Sequence, residues 1–392
     1  MAKDDGNGVR GTGVRRRMSR IGSALSPLGR RLLQRTLDLF LPIAPNVPLS
    51  GIGEVRRILL VRPNFRLGNA LITSPLVAAL RTRFPEARLD YLGGEGTLVV
   101  LDHLPVDERI VMSRGFILRP WRFVALFLEL RRRGYDLAIE SAMGSFSGGL
   151  YAWLSGARHC LGVPRRNERF LDVRLPPTPV AHAYDGPAAF AAHLGVSCAD
   201  RPVWVISDAE RRAASELLAR IGLAAPAGPL PPFAALFVGG HGAKRWPTAR
   251  WADLARQLAA DGVAVALFAG PEEADAVGRL RELAGRGALV VEPQPLRTFA
   301  AVLGAATLVV TPDSGPMHLA AAVGTPVLAV LASRGSTFFA PRGARDVALL
   351  EPTVADVLSA LRQHPEYAVL RRGAPGRATD ASGASTPRQR AG

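Results

Sequence analysis

Residues 308–331 read LVVTPDSGPMHLAAAVGTPVLAVL, and this stretch decides the fold. Leu308, Val309 and Val310 form an apolar, largely β-branched run of the kind that fills a buried strand. Pro312, Asp313, Ser314, Gly315 and Pro316 break it at once, so the turn lies at the strand's carboxyl end. Pro316 suits the first turn of a helix, where its missing N–H costs no helical bond. Asp313 and Ser314 are placed to accept from the orphan amides of that turn. A short helix and a second apolar strand follow, which makes a βαβ unit of an α/β protein. In such sheets ligands sit beyond the strands' carboxyl ends, and a helix N-terminus with free N–H groups favours phosphate. Asp313, Ser314 and Gly315 therefore read as a diphosphate cradle. His318, in the first turn of the same helix, can donate to an anion.

Towards the N-terminus the pattern repeats, with apolar strands near 233–238, 263–268 and 288–292. The loop VGGHGAKRWP, residues 238–247, follows the first of these. Gly240 and Gly242 let backbone amides approach an anion, and Lys244 adds a mobile positive charge. The loop is not a Walker motif, because neither Ser nor Thr follows the lysine. At the end of the next strand stands AGPEEADA, residues 269–276, where Glu272 or Glu273 is placed to accept from ribose hydroxyls. Either glutamate equally suits the start of a helix on electrostatic grounds alone.

The first half alternates in the same way. Ile58, Leu59, Leu60 and Val61 read as a strand, RPNFRLGN as the loop after it, and the next stretch as a helix that Pro75 kinks or restarts. Residues 87–92 and 106–112 read as extended, 119–133 as a helix, and YDLAIES, residues 135–141, as a strand delivering Glu140 to its carboxyl end. A further helix and the strand HCLGV follow. Gly228, Pro231 and Pro232 mark a boundary, so we divide the chain into 1–50, 51–228, 229–361 and 362–392. The first segment is a basic, unstructured arm with one amphipathic helix over 28–41, and the last is an unstructured tail.

Length and charge bound the function. A chain of 392 residues with 48% hydrophobic content is long enough for two α/β cores. The net charge of +16 is concentrated at the ends: residues 1–50 hold nine Lys or Arg against three Asp, and residues 362–392 hold six Arg against two acids. A nucleic-acid-binding protein would place such an excess on its folded body, so no nucleic-acid partner is expected. Cys160 and Cys198 show no metal-ligand or disulfide-framework spacing, which suits a reducing compartment. Leu28, Leu32, Leu33 and Leu37 share one helical face opposite Arg30, Arg31 and Arg35, a pattern suited to an anionic membrane surface but too short and charged to span it.

The stretch DSGPMHLAAAVGTPV resembles the C-terminal signature of glycosyltransferase family 9, the heptosyltransferases of lipopolysaccharide assembly, whose usual form is DTG followed by xxHLAxAxGxP. Lys244 with Trp246 and Pro247 matches the family's lysine and WP pair, which touches the donor's phosphates, and the family also places an acid near Glu272 and Glu273 on the donor's ribose. RPNFRLGNALITSPLVAALRTRFP resembles the N-terminal LGD and TxPxxxALxxxFP motif, and together the matches span about residues 55–335. The resemblance implies a GT-B fold: two doubly wound Rossmann-like domains facing a cleft. It further implies an inverting transferase, independent of metal or cofactor, that moves a sugar from a nucleotide diphosphate to a glycolipid or cell-envelope glycan. The expected location is the cytoplasm, with peripheral attachment to the inner membrane face. Asn69 stands where the family carries its aspartate base, and a carboxamide cannot take a proton. Glu140 is a replacement candidate, while Asp313 more naturally orients the donor sugar. The alternatives are a GT-B protein that only binds a nucleotide sugar or glycan, and a nucleotide-sugar epimerase.

Overall fold

Ile58, Leu59, Leu60 and Val61 are all buried in the first strand, β1 (Arg57–Arg62), because its sheet is covered on both faces. The computed structural model describes residues 36, 43–165, 167–224, 229–240, 242–285 and 288–372. Of the expected 28–41 helix only Thr36 falls among them, so the basic arm and the end of the tail lie outside the described residues.

After β1 come helix α1 (Leu67–Arg83), β2 (Arg88–Gly94), β3 (Glu108–Met112), α2 (Pro120–Arg133) and β4 (Leu137–Glu140). Then follow α3 (Phe146–Leu154), β5 (His159–Gly162), β6 (Val173–Arg174) and α4 (Asp185–His193). The six strands are parallel in the order β3-β2-β1-β4-β5-β6. Ile58 and Leu60 join a core with Leu76 and Leu80 of α1 and Phe190 of α4. Leu59 and Val61 point the other way, into a core with Phe127 and Leu130 of α2 and Ala152 of α3.

Pro75 does not break α1, which runs unbroken from Leu67 to Arg83. Proline withholds the amide that the Leu71 carbonyl would accept. The Ser74 hydroxyl donates to that carbonyl instead, at 2.7 Å, and accepts from the Val203 amide at 2.8 Å.

The second half begins with α5 (Asp208–Arg220) and β7 (Phe233–Val238), then α6 (Thr248–Ala260), β8 (Ala264–Ala269), α7 (Val277–Ala284) and β9 (Leu289–Val291). It continues through α8 (Leu296–Ala305), β10 (Leu308–Pro312), α9 (Gly315–Val323), β11 (Val327–Leu331), β12 (Val347–Leu350), α10 (Val354–Gln363) and α11 (Pro365–Arg372). Its parallel sheet has the order β12-β11-β10-β7-β8-β9, the same winding as the first half. Every residue of β7, β10 and β11 is buried, and their inward side chains pack with Trp251, Leu254 and Leu258 of α6. Both halves are thus doubly wound Rossmann-like units, as expected of each.

Three sequence expectations shift. The two units divide between Val205 and Ile206, ahead of residue 228, because α5 belongs to the second unit. It packs on α8, and Arg297 grips Glu210 with two hydrogen bonds of 2.6 and 2.8 Å. The 362–392 tail begins later than expected: α11 occupies its first part, with Leu370 buried in the core and the Tyr367 hydroxyl on Asp261. Strands β6 and β12 escape the sequence pattern because each is short and lies at a sheet edge, where one side chain in two faces water.

Candidate active site

In each sheet the winding reverses at one place, between β1 and β4 in the first unit and between β7 and β10 in the second. The loops leaving these strands splay apart there and open a crevice at their carboxyl ends. The second unit carries the richer of the two sites.

The loop after β7 turns through Gly240 and Gly242, whose φ angles of 130° and 56° favour glycine. A β-carbon on Gly240 would also stand 3.2 Å from the Lys244 carbonyl oxygen, so the turn closes tightly on the lysine. Arg245 secures it: Nε donates to the Gly240 carbonyl at 2.6 Å and Nη2 to Glu273 Oε1 at 2.9 Å. Trp246 packs edge-on against Trp251 at 4.9 Å and donates from Nε1 to the Pro352 carbonyl at 3.3 Å. The tryptophan of this motif is therefore packed into the core of the second unit.

Lys244 Nζ forms an ion pair with Asp313 Oδ2, which joins the loop after β7 to the turn after β10. The aspartate side chain is 5% exposed and the lysine 41% exposed, so the anion is buried while the cation keeps a face to solvent. The ammonium lies 5.9 Å from the ring centre of Phe339, which also meets His318 edge-on at 6.4 Å. His318 is itself buried.

The cap expected from Asp313 and Ser314 does not form. The Ser314 hydroxyl donates back to the Pro312 carbonyl at 3.1 Å, Asp313 holds Lys244, and the N-cap residue Ser314 makes no side-chain cap bond to α9. Among the described residues the first-turn amides of α9 thus lack a side-chain acceptor, with Lys244 on the adjoining turn, a suitable arrangement for an anion. The two glutamates separate as well. Arg245 pairs with both, with Glu273 at 2.9 Å, its side chain 10% exposed, and with Glu272 at 4.0 Å, its side chain 57% exposed.

In the first unit Asn69 sits in the first turn of α1, partly exposed, immediately after the β1 loop. Glu140 stands at the end of β4, as expected, but is fully buried. Its Oε1 accepts from the Ala142 amide at 2.6 Å, and its Oε2 from the Gly144 amide at 2.8 Å and from Asn167 Nδ2 at 3.1 Å. A β-carbon on Gly148 of α3 would lie 2.8 Å from Oε1, so the helix rests directly on the carboxylate. Burial raises the Glu140 pKa above its ordinary value, and the loop amides and Arg62 oppose this. Glu140 thus anchors its turn: both oxygens are occupied and neither reaches solvent.

Sequence reading missed Arg62, Arg245, Asn167 and Phe339. Arg62 ends β1 at the switch point, with a buried Nε that has no hydrogen-bond partner among the described residues. Burial lowers its pKa, opposed by Tyr91 and Glu140. Its place at a strand's carboxyl end was a signal available in the sequence. Arg245 is the next residue after the lysine that was read, whereas Phe339 and Asn167 come from distant loops with no local pattern.

Comparison with known proteins identifies the family. The model of glycosyltransferase family 9 (heptosyltransferase) matches residues 123–359, more than half of the chain, and that span contains Glu140, Lys244, Asp313 and His318. Lipopolysaccharide heptosyltransferase 2 of Salmonella typhimurium is 28% identical over 310 residues, covering 73% of this chain and 85% of the relative. A glycosyl transferase of family 9 from Veillonella parvula has a similar structure, with a TM-score of 0.68 at 22% identity over 79% of this chain and 96% of that one. An Escherichia coli heptosyltransferase solved with ADP gives 0.61 at 22% identity, over 80% of this chain and 99% of its own.

Proposed function

Because the chain belongs to glycosyltransferase family 9 and is a glycosyltransferase, we propose that it moves a heptose-like sugar from a nucleotide diphosphate to a lipopolysaccharide-type glycolipid, in one inverting displacement. The observation that carries this reading is the Lys244–Asp313 pair beside the uncapped start of α9. As the glycosidic bond to the diphosphate breaks, negative charge grows on the leaving oxygens. Lys244, the amides around Gly240 and Gly242 and the N-terminus of α9 are donors suited to that charge. Asp313 holds the lysine in place before the donor arrives, which lowers the cost of ordering it. Glu272, the more exposed glutamate, is the better candidate for the donor's ribose.

On the acceptor side we assign Asn69 a positioning role: its carboxamide can hydrogen-bond the attacking hydroxyl, whose proton leaves to water or to the departing diphosphate oxygen. Arg62, at the carboxyl end of β1 on the acceptor side, carries a guanidinium suited to an anionic group on the acceptor. Family membership supports transfer over epimerisation or binding alone. Among the described residues no helix is long and apolar enough to cross a membrane. The acceptor's lipid supports work at a membrane surface, and we place the enzyme on the cytoplasmic face. The test is product analysis by mass spectrometry with a panel of nucleotide diphosphate sugars, ADP-heptose first, and a truncated lipopolysaccharide acceptor. ADP binding without transfer from any donor would leave the binding-only reading standing.

A further inference from the structure

Helix α2 is apolar on two opposite faces. Phe127 and Leu130 enter the core and Phe123 packs against it, as an ordinary surface helix requires. The opposite side carries Trp121, Val124 and Leu128, which are 64%, 54% and 51% exposed, and Leu118 just before the helix is 59% exposed. At 100° per residue these helical positions fall within one narrow stripe, so the exposure is a continuous apolar strip rather than scattered residues.

The strip is edged with positive charge. Arg119, Arg122 and Arg132 form no ion pair among the described residues, while Glu129 of the same helix is drawn to Arg133 at 3.4 Å. A tryptophan and leucines framed by free arginines match the chemistry of an anionic bilayer surface: the indole and aliphatic chains enter the headgroup boundary and the guanidinium groups meet lipid phosphates. A second copy of the chain would bring arginines against arginines, and the 28–41 segment carries Arg30, Arg31 and Arg35, which would do the same.

We infer that the outer face of α2, with Leu118, is a docking surface for anionic membrane lipid, distinct from the basic N-terminal arm. This rests on the proposed lipid-borne acceptor for its purpose but not for its chemistry.

The test is co-sedimentation of the full chain with vesicles of phosphatidylglycerol and phosphatidylethanolamine, and with phosphatidylcholine alone. A variant carrying Leu118→Ser, Trp121→Ser, Val124→Ser and Leu128→Ser is compared with wild type after thermal melting shows equal stability. Binding of wild type to the anionic vesicles is expected to exceed that to the neutral ones, and the variant should lose at least tenfold. Arg119→Gln with Arg122→Gln and Arg132→Gln, at otherwise unchanged surface, should lose the salt-sensitive part. If deletion of residues 1–43 abolishes binding while both surface variants bind as wild type does, the inference is wrong. It is also wrong if the serine variant binds normally but turns a wild-type dimer into a monomer, because the strip is then an interface between copies. Should the serine variant melt early, the arginine variant alone decides. Transfer to a delipidated, soluble acceptor separates the two readings. Unchanged turnover there with lost vesicle binding supports the docking surface, whereas absent turnover with intact vesicle binding defeats only the proposed reaction.

Discussion

Glu140→Gln distinguishes a turn anchor from a catalytic base. The carboxylate accepts three hydrogen bonds, one on Oε1 and two on Oε2. A glutamine keeps one acceptor oxygen, so in its better orientation the carboxamide oxygen takes the two donors at Oε2 and the NH2 faces the Ala142 amide. One buried donor then loses its partner, which costs about 1–3 kcal/mol. For a unit of this size that is a fall in melting temperature of roughly 3–9 °C. The pH dependence has a definite sign. Burial raises the folded-state pKa of Glu140 above its unfolded value, so its contribution is fully present below about pH 4.5 and fades as pH rises through the folded pKa. Wild-type stability should therefore fall as pH rises through that pKa, whereas the variant, which cannot titrate there, should not share that loss. Differential scanning calorimetry from pH 4 to 8 reads this directly. A variant as stable as wild type at every pH, yet without turnover, would refute the anchor reading and return Glu140 to the role of base.

Three further outcomes follow from the geometry. Lys244→Ala should weaken ADP binding at least tenfold in calorimetry without unfolding the protein, since a charge-assisted contact to phosphate is worth on the order of 1.5–3 kcal/mol; unchanged affinity would make the lysine a partner of Asp313 only. Arg62→Leu should raise KM for an anionic acceptor by about tenfold or more, with donor affinity unaltered, and equal KM values for both proteins would remove Arg62 from the acceptor site. The bidentate grip of Arg297 holds the Glu210 carboxyl down to about 2, so its stabilisation is present above the ordinary carboxylate pKa and lost as pH falls from about 4.5 towards about 2. Glu210→Gln should cost on the order of 1–2 kcal/mol at neutral pH in urea melts and flatten that acid limb. An unaltered acid limb would show the pair to be without weight.

Much of this protein was settled by short-range pattern. Continuous apolar runs such as 233–238 and 308–310, each ended by glycine or by proline with an acid, read as buried strands with loops at their carboxyl ends, and the structure has them so. That is why Gly240, Lys244, Asp313 and Asn69 could be placed at strand ends or helix starts before any contact was known. Local pattern does not carry partnership. Asp313 and Ser314 look like helix caps in sequence, but a lysine 69 residues away claims one and the preceding carbonyl claims the other. Glu140 looks like an accessible base at a strand end, yet Asn167 and the glycine of α3 that rests on it bury it. The same holds for α2, whose two apolar faces are evident in its periodicity although only packing decides which one meets the core. Burial and hydrogen-bond competition are set by atoms far apart in the chain, so the sequence by itself determined where the chemical groups stand, and the tertiary structure decided which of them remain free to act.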